Sequence, residues 1–222
     1  MPPNDAAFAP YASLCLPGRD PVAMLAHTRA QWHQRQGRGA PLWVFGYASL
    51  IWRPDLSFDT RQPARVHGWH RALAMWSRVN RGTPECPGLV FALLPGGSCQ
   101  GVVYRVPAAQ AEQELDTLWA REMPSAVYDP RWLRCATPQG TVWALAFTLS
   151  RRSPSFAGEL TAAQYRDIFR HARGRYGSTL DYARQTHESL RAHGVHDRRL
   201  QALLCHAQEA NDSAAASYTH PA

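Results

Sequence analysis

The sequence contains no lysine, and this absence removes several kinds of catalysis. The chain has 222 residues, and all 24 of its lysine-or-arginine positions are arginine. Schiff-base catalysis, anchoring of pyridoxal phosphate and the phosphate-binding loop lysine all require a lysine amine. These function classes are therefore excluded.

Closely spaced cysteines are also missing. The five cysteines never form a Cys-x-x-Cys pair and are widely spread, at Cys15, Cys86, Cys99, Cys135 and Cys205. This spacing argues against a disulfide framework and against a zinc site. The ten histidines include no His-Glu-x-x-His motif, and His67 and His70 would point to opposite faces of a strand. We therefore predict that the protein binds no metal.

Long apolar runs are absent as well. No segment approaches the roughly 18 apolar residues that a membrane-spanning helix needs. The opening residues, Met-Pro-Pro-Asn-Asp-Ala-Ala, have neither the basic region nor the apolar core of a secretory signal. We therefore expect no membrane partner and a cytoplasmic location.

The overall charge is positive without being concentrated. The formal net charge is +7, which would suit either a nucleic acid or an anionic small substrate. However, the arginines are scattered in ones and twos, with no dense basic block. We therefore predict a small-molecule substrate rather than a nucleic-acid partner.

Cap and turn signals predict both helices and strands. Asp20 followed by Pro21 is typical of a helix start. Alternating apolar residues predict two hairpins, the first turning at Gly96-Gly97, between residues 89–94 and 100–106 and between residues 132–137 and 141–149. The last third of the chain is predicted to be helical. Together these signals indicate an α+β fold with mostly antiparallel strands.

The chain shows no internal repeat and no domain linker. Its length suits one well-packed domain. We predict an N-terminal arm and helix over residues 1–41, a main domain over residues 42–209 and a disordered tail over residues 210–222.

Within residues 42–49 the sequence changes from an apolar run to small and polar residues. Leu42 to Phe45 is a short apolar run that suits a buried strand, and Gly46 ends this pattern. Tyr47, Ala48 and Ser49 follow, and a tight turn there would leave backbone N–H groups free to bind a carboxylate or an oxyanion. The same residues would also fit a core strand that ends in an ordinary turn. Ser49 lacks the Gly-x-Ser-x-Gly context of a serine hydrolase.

A helix predicted after Pro107 carries a carboxylate on its apolar side. At about 100° per residue, the apolar side chains fall within roughly 40° of one direction. They are Ala111, Leu115, Leu118 and Trp119. Glu122 lies about 20° from the centre of this stripe, which makes it a candidate general base. Alternatively, Glu122 turns back to solvent, or it pairs with Arg121 or Arg134.

These two features belong to a longer set of matches. Residues 44–52 resemble the Phe-Gly-Tyr-Gly-Ser-Leu-Ile-Trp signature of the ChaC family of γ-glutamylcyclotransferases. The resemblance spans about residues 42 to 205. It continues through Gly68-Trp69-His70-Arg71, Arg81-Gly82-Thr83-Pro84, Pro87-Gly88, Gly101-Val102-Val103-Tyr104-Arg105-Val106, Leu118-Trp119-Ala120-Arg121-Glu122-Met123 and Gly177-Ser178-Thr179.

The resemblance implies a barrel-like mixed sheet flanked by helices, and a specific reaction. Glutathione would be converted to 5-oxoproline and cysteinylglycine, because the α-amine of its γ-glutamyl group attacks the side-chain carbonyl of the same group. Neither water as nucleophile nor a cofactor is needed. The oligomeric state is left open.

The resemblance also implies roles for particular residues. Glu122 matches the catalytic glutamate, and the loop from Gly46 through Tyr47, Ala48, Ser49 and Leu50 would bind the γ-glutamyl carboxylate through backbone N–H groups. Tyr128 and Tyr182 would line the pocket. An arginine could receive the glycine carboxylate, but the sequence does not distinguish which one.

Two alanines depart from the family pattern. Ala48 and Ala126 stand where comparable sequences have glycine, so each methyl group could narrow the pocket or strain a backbone with positive φ. Two alternatives therefore stay open: a relative acting on another γ-glutamyl compound, and a non-catalytic binding module that uses its basic surface for an acidic partner.

Overall fold

The computed structural model describes residues 18–205 and 207. Within them the chain divides into two compact units. The first contains the chain up to Arg71 together with Leu93–Ser153, and the second contains Ala72–Ala92 together with the chain from Pro154 onward. Most of the predicted N-terminal arm and the predicted disordered tail lie outside the described residues, and the predicted domain boundaries stay predictions.

Five strands form a closed barrel in the order β1-β3-β2-β4-β5. Strand β1 pairs antiparallel with β3 and parallel with β5, where Val44 lies opposite Leu145. Closure leaves no free sheet edge, so every strand has two partners. The strands are β1 (Leu42–Gly46), β2 (Thr60–Ser77), β3 (Gly88–Val106), β4 (Asp129–Thr137) and β5 (Gly140–Thr148). The predicted barrel-like, mostly antiparallel mixed sheet is confirmed.

Strand β3 differs from its prediction. It is one continuous strand of 19 residues, so the hairpin predicted at Gly96-Gly97 is wrong. Both glycines have positive φ, 102° and 73°, but the chain does not reverse. Glycines with positive φ inside a strand are typical of a bulge, and a local sequence pattern does not separate a bulge from a tight turn. The predicted hairpin of β4 and β5 is confirmed.

Helices α1 (Pro21–Gln36) and α3 (Ala108–Glu122) belong to the first unit. Helix α1 begins as predicted, because the Asp20 side chain accepts a hydrogen bond from the Val22 N–H at 2.9 Å. Helix α3 buries the four apolar residues of the predicted stripe. The Trp119 indole N–H donates to the Pro21 carbonyl at 3.0 Å, which joins the end of α3 to the start of α1.

The second unit contains helices α4 (Ala162–His171) and α5 (Thr179–Ala192). Both begin with a capping box, formed by Thr161 with Gln164 and by Ser178 with Asp181. A two-stranded sheet, β6 (Arg173–Gly174) and β7 (Gly177–Ser178), lies between them in the chain. Residues 198–205 are also helical, so the predicted helical C-terminal third is confirmed for the described residues.

None of the helices among the described residues has the length and apolar character needed to cross a membrane.

Candidate active site around Glu122

Glu122 is the last residue of α3, and its side chain is mostly buried. Only 15% of the side chain is exposed, and its Oε1 accepts a hydrogen bond from Arg121 Nε at 3.0 Å. Burial raises the pKa of Glu122 because it disfavours the charged form, while the neighbouring Arg121 cation partly opposes this effect. Glu122 therefore pairs with Arg121, one of the alternatives that the sequence left open, and its raised pKa is suited to proton transfer.

Arg121 also binds the segment that follows β1. Its Nη1 donates to the Arg53 carbonyl at 2.6 Å and to Asp55 Oδ2 at 3.1 Å, and its Nη2 donates to Ser49 Oγ at 3.4 Å. One guanidinium thus connects Glu122 to the predicted carboxylate-binding loop. The sequence presented Arg121 only as a possible charge partner, because its contacts to residues 49–55 cross about a third of the chain.

The loop after β1 leads directly into a short helix, α2 (Ser49–Trp52). Ala48 occupies the N-cap position and makes no side-chain capping bond. The first amides of a helix have no partner within the helix, and in α2 these are the N–H groups of Ser49 and Leu50. The Tyr104 hydroxyl donates to the Leu50 carbonyl at 2.7 Å, and burial raises the pKa of Tyr104 to about 12.

Packing explains why glycine occupies position 46. A Cβ atom on Gly46 would lie 3.1 Å from the Leu50 Cβ and 3.3 Å from a ring carbon of Tyr104. These separations are shorter than ordinary carbon contacts. Gly46 therefore permits α2 to fold back closely against the end of β1.

Tyr47 is held at both its side chain and its backbone. Its hydroxyl donates to the Phe147 carbonyl at 2.9 Å, and its own carbonyl accepts from Arg71 Nη1 at 2.7 Å. Arg71 is 8% exposed and also donates to the Gln100 carbonyl at 3.0 Å. Sequence reasoning missed this role, although an arginine alternating with apolar residues on a predicted strand was a usable signal.

Tyr128 shares a neighbour with Tyr47. The Tyr128 and Phe147 rings lie 6.2 Å apart, and Trp119 lies at the same distance from Phe147. These separations are typical of aromatic contacts. Phe147 therefore contacts Tyr47 through its carbonyl, and Tyr128 and Trp119 of α3 through its ring.

Tyr182 lies in the second unit, where its ring contacts two residues of the same unit. The Arg81 guanidinium lies 4.9 Å from its ring centroid, and the Phe91 ring lies 5.5 Å away. The Phe91 N–H donates to the Tyr182 hydroxyl at 3.4 Å. These contacts account for its burial, and its role in lining the pocket stays a prediction.

The two alanines that depart from the family pattern have different conformations. Ala48 has a φ of −145°, so its backbone does not need glycine. Ala126 has a φ of +50° and is fully buried. Strain of the kind predicted for a methyl group at a glycine position therefore applies to Ala126 alone.

The described residues contain no group of three or more His, Cys, Asp or Glu side chains that could hold a metal ion. The prediction that the protein binds no metal remains open to experiment.

Comparison with known proteins gives a consistent result over most of the chain. A model of the family described as ChaC-like protein matches residues 42–210. The glutathione-specific γ-glutamylcyclotransferase of Escherichia coli is 36% identical over 165 residues, covering 74% of this chain and 71% of that protein. The human glutathione-specific γ-glutamylcyclotransferase 1 is 27% identical over 195 residues, covering 85% of this chain and 88% of that protein.

A solved structure shows the same fold. The crystal structure of a yeast γ-glutamyl cyclotransferase specific to glutathione superimposes with a TM-score of 0.70 at 22% identity. The match covers 77% of this chain and 96% of that one.

Proposed function

The chain belongs to the family of ChaC-like proteins, and on this premise we propose that it is a glutathione-specific γ-glutamylcyclotransferase in which Glu122 transfers the proton. The reaction forms 5-oxoproline and cysteinylglycine, and the enzyme is a lyase. The relatives with this name in E. coli and human support the assignment of substrate. The observation that carries the role of Glu122 is its largely buried carboxylate, connected through Arg121 to the loop after β1.

The reaction takes place within one substrate molecule. The α-amine of the γ-glutamyl group attacks the side-chain carbonyl carbon, a lactam C–N bond forms, and the amide C–N bond to cysteine breaks. A proton leaves the amine and is returned to the departing amine, so no external nucleophile is consumed. Holding the two groups in reacting geometry can contribute about 7 kcal/mol or more in favourable intramolecular cases.

Glu122 is suited to carry this proton in both directions. As a carboxylate it accepts the proton from the attacking amine, and as a carboxylic acid it donates to the leaving amine. Burial raises the pKa of Glu122, so its carboxylate is a stronger base than that of an exposed glutamate. Arg121 limits the shift and keeps the carboxylate oriented, so it is a positioning residue.

The loop after β1 supplies the proposed site for the γ-glutamyl carboxylate. In this proposal the N–H groups of Ser49 and Leu50, at the start of α2, bind this carboxylate. The Arg71 and Tyr47 hydrogen bonds hold this loop in place before substrate arrives. Preformed donors need no reorganisation when the substrate binds.

Mass spectrometry of 5-oxoproline released from glutathione tests the proposal. Glu122→Gln keeps the size of the side chain but cannot accept the proton, so the rate should fall by about 100-fold to 10,000-fold. Glu114→Gln, the same change on the same helix away from the apolar stripe, is the matched control and should retain activity. Undiminished product from Glu122→Gln would remove the catalytic assignment, and no product from the wild type with any of several γ-glutamyl substrates would remove the enzyme assignment.

The pH dependence of kcat/KM in the same assay provides a second test of the role of Glu122. Glu122 must be ionised to accept the proton, and its pKa is raised. The acidic limb of kcat/KM should therefore lie at higher pH than the titration of an ordinary glutamate. Arg121→Gln removes the cation that lowers this pKa, so the limb should move further toward alkaline pH; a shift toward acidic pH would contradict the proposed role of Arg121.

A further inference from the structure

A cleft of about 250 Å³ in the first unit is rich in arginine. It lies among the N-terminal end of β4, the C-terminal end of β5 and the middle of β2 and β3. Its walls are formed by Trp69, Pro95, Asp129, Arg131, Thr148, Leu149, Ser150, Arg151 and Arg152. Three of the nine wall residues are therefore arginines.

The cleft carries an excess of positive charge. Asp129 is the acidic residue among its walls, and its Oδ1 already accepts from Arg19 Nη1 at 2.8 Å. Within the described part of the chain, neither Arg131 nor Arg152 forms an ion pair with a carboxylate. An anion that enters the cleft would be attracted by the arginine side chains, while the carboxylate of Asp129 is already paired with Arg19.

Arg131 is the best restrained of the three arginines. It lies within β4, where it pairs with Ala146 of β5, and its guanidinium lies 5.7 Å from the Trp69 ring centroid. All three arginines are exposed, but Arg151 and Arg152 lie on the turn that follows β5 and not within a strand. A guanidinium supported by a strand and an aromatic ring loses less freedom when it binds a carboxylate.

The cleft lies at the same end of the barrel as the loop after β1, because β1 and β5 run parallel and the cleft walls include Thr148, the last residue of β5. Asp129 directly follows Tyr128, and Thr148 directly follows Phe147, whose carbonyl accepts from Tyr47. The Thr148 hydroxyl donates to the Asp129 carbonyl at 2.8 Å, which joins these two walls. Trp69 lies two residues before Arg71, which holds the Tyr47 carbonyl.

We propose that this cleft binds the terminal carboxylate of the dipeptide half of the substrate and that Arg131 is a specificity-determining residue. The proposal rests on the proposed function, since it concerns the half of glutathione that leaves as cysteinylglycine. Pockets for whole small molecules usually measure about 300–1,000 Å³, so a cleft of this size suits one end of a tripeptide. A guanidinium can bind a carboxylate through two parallel hydrogen bonds.

A comparison of two substrates tests this role. The first is glutathione, and the second is glutathione with its glycine carboxylate converted to a neutral amide. Arg131→Gln should lower kcat/KM for glutathione by about 10-fold to 100-fold, mainly through KM, because a hydrogen bond to a charged group is lost. The same variant should leave kcat/KM for the amide unchanged.

Arg134→Gln is the matched control. Arg134 lies on the same strand and is exposed, but it is not part of the cleft wall. This variant removes the same charge and should leave both substrates unaffected. Equal losses on both substrates in Arg131→Gln, or no loss on glutathione, would overturn the proposal.

Failure of the proposed function would be recognised separately, because the wild type would then release no 5-oxoproline from glutathione. Calorimetric titration with cysteinylglycine and with its C-terminal amide would still test the cleft. Arg131→Gln should weaken binding of the free acid about 10-fold or more and leave the amide unchanged. Equal affinity of the wild type for the two ligands would overturn the proposal.

Discussion

At the scale of single residues, Ala126 carries backbone strain; among the described residues, Asp55 is the other non-glycine residue with a positive φ. Its φ of +50° lies in the left-handed region, and it occupies the turn that leads from α3 to β4. A left-handed alanine costs roughly 1–2 kcal/mol, and glycine would avoid that cost. Ala48 carries no such strain, although the sequence indicated possible strain at both alanines.

Exchanging each alanine for glycine should separate the two positions. Both side chains are buried, so each exchange removes one buried methyl group, and each adds about 0.5–1 kcal/mol of unfolded-state entropy. Only Ala126→Gly also relieves strain, so its loss of unfolding free energy should be roughly 1 kcal/mol smaller than that of Ala48→Gly. Urea unfolding measures both. An equal or larger loss for Ala126→Gly would contradict the assignment of strain.

At the scale of elements, the approach of β1 to β3 determines the shape of the loop that follows β1. Gly46 pairs with Val102, and the carbonyl oxygen of Gly46 lies against the position where Gly101 has no side chain. Helix α3 then places Glu122 beside this loop through Arg121. The site thus depends on three elements that are distant in sequence.

Gly101→Ala should disturb this arrangement. Its Cβ would lie 2.3 Å from the Gly46 carbonyl oxygen, a backbone atom that cannot move without shifting β1. The expected loss of unfolding free energy is about 1–3 kcal/mol or more, and activity should fall because the loop moves with the strand. Ser98→Ala, at an exposed position of the same strand, should change neither quantity. Chemical denaturation together with the 5-oxoproline assay measures both effects, and wild-type stability in Gly101→Ala would contradict the close contact.

At the scale of the whole molecule, the positive side-chain charge at pH 7 comes from arginine, because the sequence has no lysine and histidine is counted as neutral. Arginine stays protonated in proteins, so the cationic charge contributed by its side chains does not vary across the physiological pH range. A net charge of +7 should favour the approach of anionic substrates such as glutathione.

In the proposed mechanism the C–N bonds form and break within the substrate and the protein transfers only a proton, so the reaction should not depend on a metal. Release of 5-oxoproline should be unchanged after treatment with a chelator. A loss of activity that is restored by one particular divalent cation would contradict this prediction and would reopen the assignment of Glu122 as a proton-transfer group.

Local patterns predicted the elements well where the pattern repeats. The apolar stripe of α3 and the cap of α1 follow from the spacing of a few nearby residues, and both are confirmed. The strand β3 was predicted as two strands because glycines in positive φ occur in both turns and bulges. Pairing with neighbouring strands decides between these outcomes, and that pairing is not local.

The sequence by itself determined the α+β class, the helix that carries Glu122, the absence of lysine chemistry and the resemblance that identifies the family. Only the tertiary structure showed that Arg121 connects Glu122 to the loop after β1, that Arg71 holds the Tyr47 carbonyl, and that the strain lies at Ala126 rather than Ala48. The physical reason is that helical spacing depends on adjacent residues. Burial, ion pairing and backbone strain depend on contacts between segments that are far apart in the chain.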